Sequence, residues 1–296
     1  EGREGAGSGT CATLDAEECV TRRVAELTEG INREARFHRG LHVAMRDALR
    51  EYACANASAA TPPPARRSQF QGVQVETLFD HQRARVDLLH GLAQAEECRA
   101  LVDRAAPRLR RATVAGATLQ DEDIGRRADQ ATVDYDWSDE VDPVARLARR
   151  AYAFADSALG PRRGAPLPRG GQEGFSVIRY RPGGDEYRPH CDSDCEGGLA
   201  KDGGRVATMV IYCEVPAAGG ATTFDNAALT VVPESAGDAT FFSYIGDDGE
   251  WDDGLTLHSG CPIKEGEKWI ATLWMRQGVS DEAPWSSFDP AGNPAY

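Results

Sequence analysis

From Gly174 onward, the chain becomes a series of short runs rich in Val, Ile, Thr and aromatic residues, separated by clusters of Gly, Pro and Asp. Seven runs stand out, at residues 175–180, 206–213, 221–224, 229–232, 239–244, 255–258 and 269–275. Short runs bounded by turn-forming residues are typical of β-strands. A chain that places so many strands in succession is constrained to form a sheet sandwich or a barrel.

Helices and two more strands precede these runs. Residues 73–79 and 85–89 read as strands, and residues 95–110 carry apolar side chains at helical spacing. A second helix begins near Pro143, a favoured first-turn residue, and ends before Gly160. The sequence therefore predicts an α+β domain, mainly β, with supporting helices over residues 70–279.

The segments outside this domain are predicted from composition and periodicity. Residues 1–10 are Gly-rich and predicted to be a disordered tail, and residues 280–296 form a C-terminal tail. Residues 11–58 are predicted to be helical, with possible breaks at Gly30 and Gly40. Three consecutive prolines in residues 59–69 predict a stiff linker. The N-terminal helices could mediate dimerisation, capture substrate or simply cover the sheet.

The charge and hydropathy of the 296-residue chain bound its partners. A net charge of −14 argues against nucleic acid and favours a neutral or basic substrate, although acidity that serves only solubility is an open alternative. The chain has no apolar run long enough to span a membrane. Because it begins with Glu1 rather than Met, we expect that a leader or anchor has been removed.

Eight cysteines lack the paired spacing of a zinc site. Cysteines in the N-terminal segment and a glycosylation acceptor at residues 56–58 favour an oxidising lumen, the endoplasmic reticulum or the Golgi, although a chance match of the acceptor stays open. The sequence leaves the disulfide pairing open. Cys191 and Cys195 are predicted to be buried or disulfide-bonded rather than metal ligands.

The candidate metal ligands are His190, Asp192 and His258. If residues 187–192 form a strand, positions 190 and 192 project from the same face. Two imidazoles and one carboxylate form the facial triad of non-haem Fe(II) oxygenases, which leaves positions open for a cosubstrate and oxygen. Since a short His-x-Asp pair is often a plain turn feature, the rest of the site must support this hypothesis.

A lysine begins the last predicted strand. Residues 268–276 alternate, so that Lys268, Thr272 and Trp274 share one face. A lysine that faces the interior is costly unless it meets a buried anion, and the distal carboxylate of 2-oxoglutarate is such an anion. The alternative places Lys268 outward, as a solvated charge beside Glu265 and Glu267.

In the order and spacing of these motifs, the chain resembles the Fe(II)- and 2-oxoglutarate-dependent prolyl 4-hydroxylases of the collagen type and of plants and algae. The resemblance covers about residues 86–278, including the block Gly-Gly-Ala-Thr-Thr-Phe at 219–224 and Leu-His-Ser-Gly-Cys-Pro at 257–262. It implies a double-stranded β-helix (jelly-roll) fold and iron ligation by His190, Asp192 and His258. It also implies O2 and 2-oxoglutarate as cosubstrates and L-ascorbate as reductant.

The same resemblance implies roles for the other candidate residues. Lys268 and Thr272 are expected to anchor the cosubstrate carboxylate in a pocket shared by three further hydroxyl side chains, those of Tyr180, Thr208 and Tyr212. Tyr187, Arg205 and Trp274 match positions that contact the peptidyl proline. Strict alternation puts Arg205 on the face opposite Thr208, so it is expected to lie just before regular pairing begins; its alternative role is a rim salt bridge.

The sequence departs from the family around the substrate. Ala221 stands where the family usually has an acidic residue, and residues 126–132 replace an Arg-Thr-Ser motif that leads into a mobile substrate loop. We therefore expect hydroxylation of peptidyl proline to 4-hydroxyproline in a proline-rich substrate, with succinate and CO2 as co-products. The alternatives are the same chemistry on a lysyl residue, free amino acid or small molecule, and a non-catalytic peptide-binding module on the same fold.

Overall fold

The computed structural model of the chain describes residues 15–49, 54, 60–112, 126–163 and 166–295. The predicted disordered tail and the glycosylation acceptor at 56–58 lie outside the described residues. The chain divides into two compact units, Glu1–Glu51 and Tyr52–Tyr296. No helix in the part of the chain that the structure describes is both long and apolar enough to cross a membrane.

The first unit contains one 34-residue helix, α1 (Ala16–Leu49). Its start is stabilised by the Asp15 carboxylate, which accepts a hydrogen bond from the Glu18 amide at 2.9 Å. The breaks expected at Gly30 and Gly40 are wrong, because the helix continues through both glycines. An isolated glycine costs a helix only about 1 kcal/mol, which the surrounding Ala, Glu, Arg and Leu residues can offset.

Over the residues that the structure describes, the main sheet of the second unit has nine antiparallel strands. In spatial order these are β1 (Arg66–Phe70), β2 (Val73–Asp80), β3 (Arg85–His90), β14 (Ala239–Ser243), β10 (Arg205–Glu214), β18 (Lys268–Arg276), β7 (Phe175–Tyr180), β6 (Asp129–Val133) and β4 (Arg110–Arg111).

A smaller sheet of five strands faces it, in the order β13 (Leu229–Val231), β12 (Thr222–Phe224), β16 (His258–Gly260), β8 (Glu186–His190) and β5 (Arg126–Arg127). Two short pairs complete the strands, β11 (Ala218–Gly219) with β17 (Ile263–Glu265) and β9 (Gly198–Leu199) with β15 (Glu250–Trp251). Apolar side chains of both sheets form one core, including Ile178, Val210, Phe224 and Phe242. The predicted jelly-roll core is confirmed.

Two helices cover the outer face of the main sheet: α2 (Ala95–Ala105) and α3 (Pro143–Arg163). Their apolar side chains pack against residues of the sheet that point away from the smaller sheet, such as Met209, Phe241 and Leu273. Alternation along β18 therefore sends Leu273 to the helices and its neighbours Thr272 and Trp274 to the interior. The helices support the sheet from behind and leave its inner face for the site.

Several boundaries differ from the sequence-based expectations. Helix α3 continues through Gly160, where it was expected to end, and reaches Arg163. Strand β1 begins at Arg66, inside the segment expected to be a linker, and the strand expected at 255–258 begins only at His258. Residues 280–295 are not a loose tail, since the Pro290 carbonyl accepts a hydrogen bond from the Arg205 amide at 3.0 Å and the Ser287 carbonyl accepts one from Ala295 at 2.9 Å. Propensity could not reveal these contacts because they depend on how the segment folds back in three dimensions.

Three disulfides tie the second unit together: Cys54–Cys261, Cys98–Cys213 and Cys191–Cys195. The Cys98–Cys213 bridge fastens α2 to β10, while Cys191–Cys195 closes the turn that follows β8. The prediction that Cys191 and Cys195 are buried or disulfide-bonded rather than metal ligands is confirmed.

Candidate active site

Three potential metal ligands converge between the two sheets. Strands β8 and β16 pair so that His190 lies directly opposite His258, and their ring centroids are 4.2 Å apart. Strand β8 ends at His190, so Asp192 lies in the turn beyond it and not within a strand as expected. Ligand atoms of the three residues nevertheless lie within 4.8 Å of one another.

The hydrogen bonds of the two imidazoles prepare them to bind a metal. Nδ1 of His190 donates to the Arg188 carbonyl at 2.8 Å, and Nδ1 of His258 donates to the Thr256 carbonyl at 2.9 Å. A carbonyl can only accept, so Nδ1 of each ring carries a proton, and Nε2 is the atom of the neutral ring that can bind a metal. Burial and the neighbouring His258 hold the pKa of His190 well below its usual value, which keeps this ring neutral.

The carboxylate of Asp192 completes this ligand set. Its oxygens lie 3.6 Å from Nε2 of His190 and 3.9 Å from Nε2 of His258, too far for strong direct hydrogen bonds. Burial alone would raise its pKa, but His258, His190 and Arg205 together hold the pKa of Asp192 below its usual value. Two neutral nitrogens and one ionised carboxylate on one side of a space fit Fe(II).

Thr208 supports Asp192 rather than lining the cosubstrate pocket. Its hydroxyl donates to Oδ2 of Asp192 at 2.7 Å and lies 3.2 Å from the Tyr244 hydroxyl. The expected role in cosubstrate binding is therefore corrected, because the Asp192 carboxylate takes up the hydroxyl of Thr208. A hydrogen-bond donor at this position fixes the orientation of the metal-binding carboxylate.

Asp252 supports His258, and the sequence analysis missed it. Oδ2 of Asp252 accepts a hydrogen bond from the Thr256 amide at 2.6 Å, and the carbonyl of Thr256 orients the His258 ring. Burial raises the pKa of Asp252 to about 7. In the sequence, Asp252 belongs to an acidic turn with no distinguishing pattern, so only its burial shows that it stabilises the loop before His258.

A cavity extends from the metal-binding residues to Lys268. Lys268 is only 3% exposed, and its ammonium donates to the Gly220 carbonyl at 2.6 Å. Among the described residues no carboxylate pairs with it, and burial lowers its pKa to about 7. The alternative that Lys268 is a solvated surface charge is wrong. Instead, the ammonium of Lys268 lies in the cavity, where a bound anion would offset the free-energy cost of its burial.

Of the other residues expected around the cosubstrate, Tyr180 and Thr272 line this cavity and Tyr212 does not. Burial raises the pKa of Tyr180 to about 12, so its hydroxyl is a donor at neutral pH. The hydroxyl of Tyr212 instead lies 2.8 Å from that of Thr240 on β14. The centre of the Tyr212 ring lies 5.3 Å from Nζ of Lys268, so Tyr212 lies beside the lysine, and its contact with the cosubstrate stays a prediction.

The residues expected at the peptidyl proline lie around the metal ligands, and two of them, Tyr187 and Trp274, also line the cavity that leads to Lys268. Tyr187 stacks on His190, with ring centroids 3.4 Å apart. Arg205 forms two 2.7 Å hydrogen bonds with the Glu173 carboxylate and lies 3.9 Å from the centre of the Trp274 ring. Arg205 thus forms the expected salt bridge and also lies at the expected position in the site.

A β-bulge explains why Arg205 faces the interior. Arg205 pairs with Arg276 and Ala207 with Met275, so β10 contains one extra residue, Val206, between the two pairs. A bulge interrupts the alternation of side chains. The sequence-based suggestion was that Arg205 precedes regular pairing. It agrees with the register, because regular pairing of β10 with β18 begins after the bulge, at Ala207.

Arg126 belongs to the site although the sequence analysis assigned it no role. It is buried on β5 opposite Tyr187, and its guanidinium carbon lies 4.4 Å from the centre of the Tyr187 ring. Its positive charge opposes the rise in the pKa of Tyr180 that burial causes. The signal available in the sequence was its position in the segment that replaces the Arg-Thr-Ser motif.

Comparisons with known proteins agree with this geometry. Residues 175–276 match the 2OG-Fe(II) oxygenase superfamily. The chain is 34% identical over 204 residues to prolyl 4-hydroxylase subunit alpha-3 of Rattus norvegicus, covering 67% of this chain and 34% of that protein. It is 31% identical over 210 residues to prolyl 4-hydroxylase 1 of Arabidopsis thaliana, covering 65% of this chain and 69% of that protein.

Among solved structures, the chain is similar to the viral collagen prolyl hydroxylase of Paramecium bursaria Chlorella virus-1 in its 2OG complex. The TM-score is 0.50 and the sequence identity 26%, covering 65% of this chain and 95% of the viral one. The chain thus spans nearly the whole viral domain but only about a third of the rat subunit.

Proposed function

Because the chain belongs to the prolyl 4-hydroxylase family of 2-oxoglutarate- and Fe(II)-dependent oxygenases, we propose that it hydroxylates peptidyl proline to 4-hydroxyproline. The reaction consumes O2 and 2-oxoglutarate and releases succinate and CO2. One observation carries the proposal: a buried lysine without a carboxylate partner among the described residues faces the same cavity as His190, Asp192 and His258.

Each residue of the site has a defined task in this reaction. Nε2 of His190, Nε2 of His258 and the Asp192 carboxylate would hold Fe(II), which when bound supplies the redox chemistry that activates oxygen. Lys268 would bind the distal carboxylate of 2-oxoglutarate as a buried point charge. Donation from Tyr180 and Thr272 would fix the orientation of this carboxylate.

The buried walls of the cavity exclude water from the reacting groups. The imidazoles and the cosubstrate cavity are enclosed by Tyr180, Ile270 and Trp274, which leave little room for solvent. Tyr187 and Trp274 line both this cavity and the cavity beyond the metal ligands, while Arg205 lines only the latter, where a substrate must approach. We assign these three side chains to holding the peptidyl proline, because aromatic faces pack well on a proline ring.

The remaining properties follow from the family and from surface features. The reductant is L-ascorbate, as in the family, and the substrate is a proline-rich peptide or protein rather than nucleic acid. Val20, Val24, Leu27 and Ile31 form a stripe on α1 and are 56–65% exposed, which favours pairing with a second copy. Three disulfides in the second unit favour the endoplasmic reticulum lumen or the Golgi.

The test is to incubate the protein with Fe(II), 2-oxoglutarate, ascorbate and proline-rich peptides, and to measure succinate and the gain of one oxygen by the peptide. The matched control is Asp192→Ala, which should form neither product. If lysyl peptides or free amino acids gain the oxygen and proline peptides do not, the chemistry stands and the substrate is wrong. Peptide binding with no succinate from the wild type would favour a non-catalytic binding module.

A further inference from the structure

A second, larger cavity of about 740 Å³ opens beside His190 and Asp192 on the side away from Lys268. Its walls come from four parts of the chain: the inner face of the main sheet, strands β5 and β8 of the smaller sheet, the turn after β8 and the C-terminal segment. The lining includes Gln130, Ser176, Arg205, Trp274, Trp285 and Pro290. Gln130, Trp285 and Pro290 lie outside residues 175–276, the region matched by the oxygenase family.

Strand register gives the length of the sheet wall. Gln130 pairs with Ile178, and Ile178 pairs with Ile270, which lies four residues before Trp274 on β18. Two strand spacings and four residues along a strand separate Gln130 from Trp274 by about 16 Å. A polyproline II chain advances about 3 Å per residue, so this wall spans about five residues of an extended peptide.

Each end of this wall carries a polar atom that lacks a partner. Oε1 of Gln130 and Nε1 of Trp274 are buried and have no hydrogen-bond partner among the described residues. Burying such a group without a hydrogen bond is unfavourable, so both sites favour a ligand that supplies one. Gln130 offers an acceptor for an N–H group, and Trp274 offers a donor for a carbonyl, which together match the groups of a peptide main chain.

The C-terminal segment forms the opposing wall and holds an aromatic side chain at its edge. The Pro290 carbonyl accepts hydrogen bonds from the Arg205 amide and from the Ser193 hydroxyl, both at 3.0 Å. The Trp285 amide donates to the Gly171 carbonyl at 2.8 Å, while the Trp285 side chain remains 39% exposed. A fixed backbone thus presents a large apolar ring to the cavity.

We propose that this cavity is a peptide-binding groove in which Gln130 accepts a main-chain N–H of the substrate and Trp285 packs against a proline remote from the hydroxylated one. This inference rests on the proposed function and adds to it a preference among peptide sequences. Since proline has no N–H, Gln130 selects peptides in which other residues alternate with proline over pure oligoproline. Trp285 and Gln130 act on residues away from the reacting proline, so they determine peptide affinity and not the chemical step.

The test compares a ten-residue alternating Ala-Pro peptide, a four-residue version of it and a ten-residue oligoproline. Hydroxylation kinetics are measured with the wild type and with Gln130→Leu, Gln130→Glu, Trp285→Ala and Trp285→Phe. Peptide affinity is also measured by calorimetry without oxygen, so that binding is scored even where no product forms. Gln69→Leu and Val141→Ala are matched controls, because both residues are exposed and line neither cavity.

For Gln130→Leu we expect the KM and Kd of the ten-residue Ala-Pro peptide to rise about fivefold, as for one lost hydrogen bond. The preference over oligoproline should disappear, while kcat and the affinity for the cosubstrate 2-oxoglutarate stay unchanged. Gln130→Glu keeps an acceptor and should retain the preference. For Trp285→Ala we expect a rise of about threefold to tenfold, with Trp285→Phe close to the wild type.

The four-residue peptide is too short to reach both ends of the groove and should respond less to either variant. The groove assignment is overturned if long and short peptides lose affinity equally, if the oligoproline preference survives Gln130→Leu, or if neither variant changes affinity. If the wild type binds and discriminates these peptides but forms no hydroxyproline, the proposed function fails and the groove stands. If hydroxyproline forms at unchanged KM in both variants, the groove fails and the proposed function stands.

Discussion

Replacing Lys268 with methionine should stabilise the fold and abolish cosubstrate binding. Burial lowers the pKa of Lys268 from 10.5 to about 7, and each pKa unit corresponds to about 1.4 kcal/mol. The charged side chain therefore lowers the free energy of unfolding by roughly 5 kcal/mol below pH 7. Methionine keeps the apolar stem but loses the hydrogen bond to the Gly220 carbonyl, which costs about 1–2 kcal/mol.

The net effect of Lys268→Met is a gain of roughly 3 kcal/mol, or about 5–10 °C in Tm for a unit of this size. The gain depends on pH in a defined direction. The unfolded chain keeps its proton up to about pH 10.5 and the folded one only up to about pH 7, so wild-type stability rises with pH across this window. The advantage of the variant should be full below pH 7, vanish at about pH 9–10 and reverse by about 1–2 kcal/mol near pH 10.5, where only the lost hydrogen bond remains.

Denaturation at pH 6 and at pH 10, together with titration of 2-oxoglutarate in the presence of Mn²⁺, measures both effects. The affinity for 2-oxoglutarate should fall roughly 100-fold, as for loss of one partner of a buried charge pair. The control is Lys264→Met, because Lys264 is exposed on the neighbouring strand β17. A variant that is less stable than the wild type at pH 6, or that still binds 2-oxoglutarate normally, would refute the reasoning.

Three further outcomes follow from the same contacts. Thr208→Val removes the donor to Asp192 and should weaken Mn²⁺ binding about tenfold, with Thr208→Ser restoring it; equal affinity in all three proteins would contradict the assigned role. The wild-type Kd for 2-oxoglutarate should rise about tenfold per pH unit above about 7, as Lys268 loses its proton; a flat profile between pH 6 and 9 would contradict it. The double variant Cys54→Ser and Cys261→Ser should lose about 2–4 kcal/mol of stability in denaturant titrations; a variant as stable as the wild type would show that this bridge does not constrain the unfolded chain.

Much of the fold was predictable because its determinants are local. Strand periodicity and turn residues located most strands of both sheets, and the alternation of residues 268–276 placed Lys268, Thr272 and Trp274 on one face. The predicted ends of strands were less accurate where contacts with distant parts of the chain determine them. Strand β16 begins at His258 because pairing with β8 starts there, and the chain before it is held by Asp252 and not by a sheet.

The site was predictable to the extent that its chemistry depends on residue type. His190, Asp192, His258 and Lys268 could be proposed as site residues because few other functions require two imidazoles, a carboxylate and an inward cation in this order. Thr208 and Tyr212 both lie on the expected face of β10, but the hydroxyl of Thr208 donates to Asp192 and that of Tyr212 lies beside Thr240. Alternation determines the face of a strand, but only packing determines which neighbouring group a hydroxyl meets.

The sequence alone predicted the class of fold and proposed His190, Asp192, His258 and Lys268 as a site, because side-chain chemistry and strand periodicity depend on neighbouring residues. Only the tertiary structure shows which groups support those residues and which residues line the second cavity. Arg126, Gln130 and Trp285 carry no motif of their own, and Trp285 is far from the other two in sequence. They meet at one cavity only because the strands pair in this register and the C-terminal segment folds back against β10.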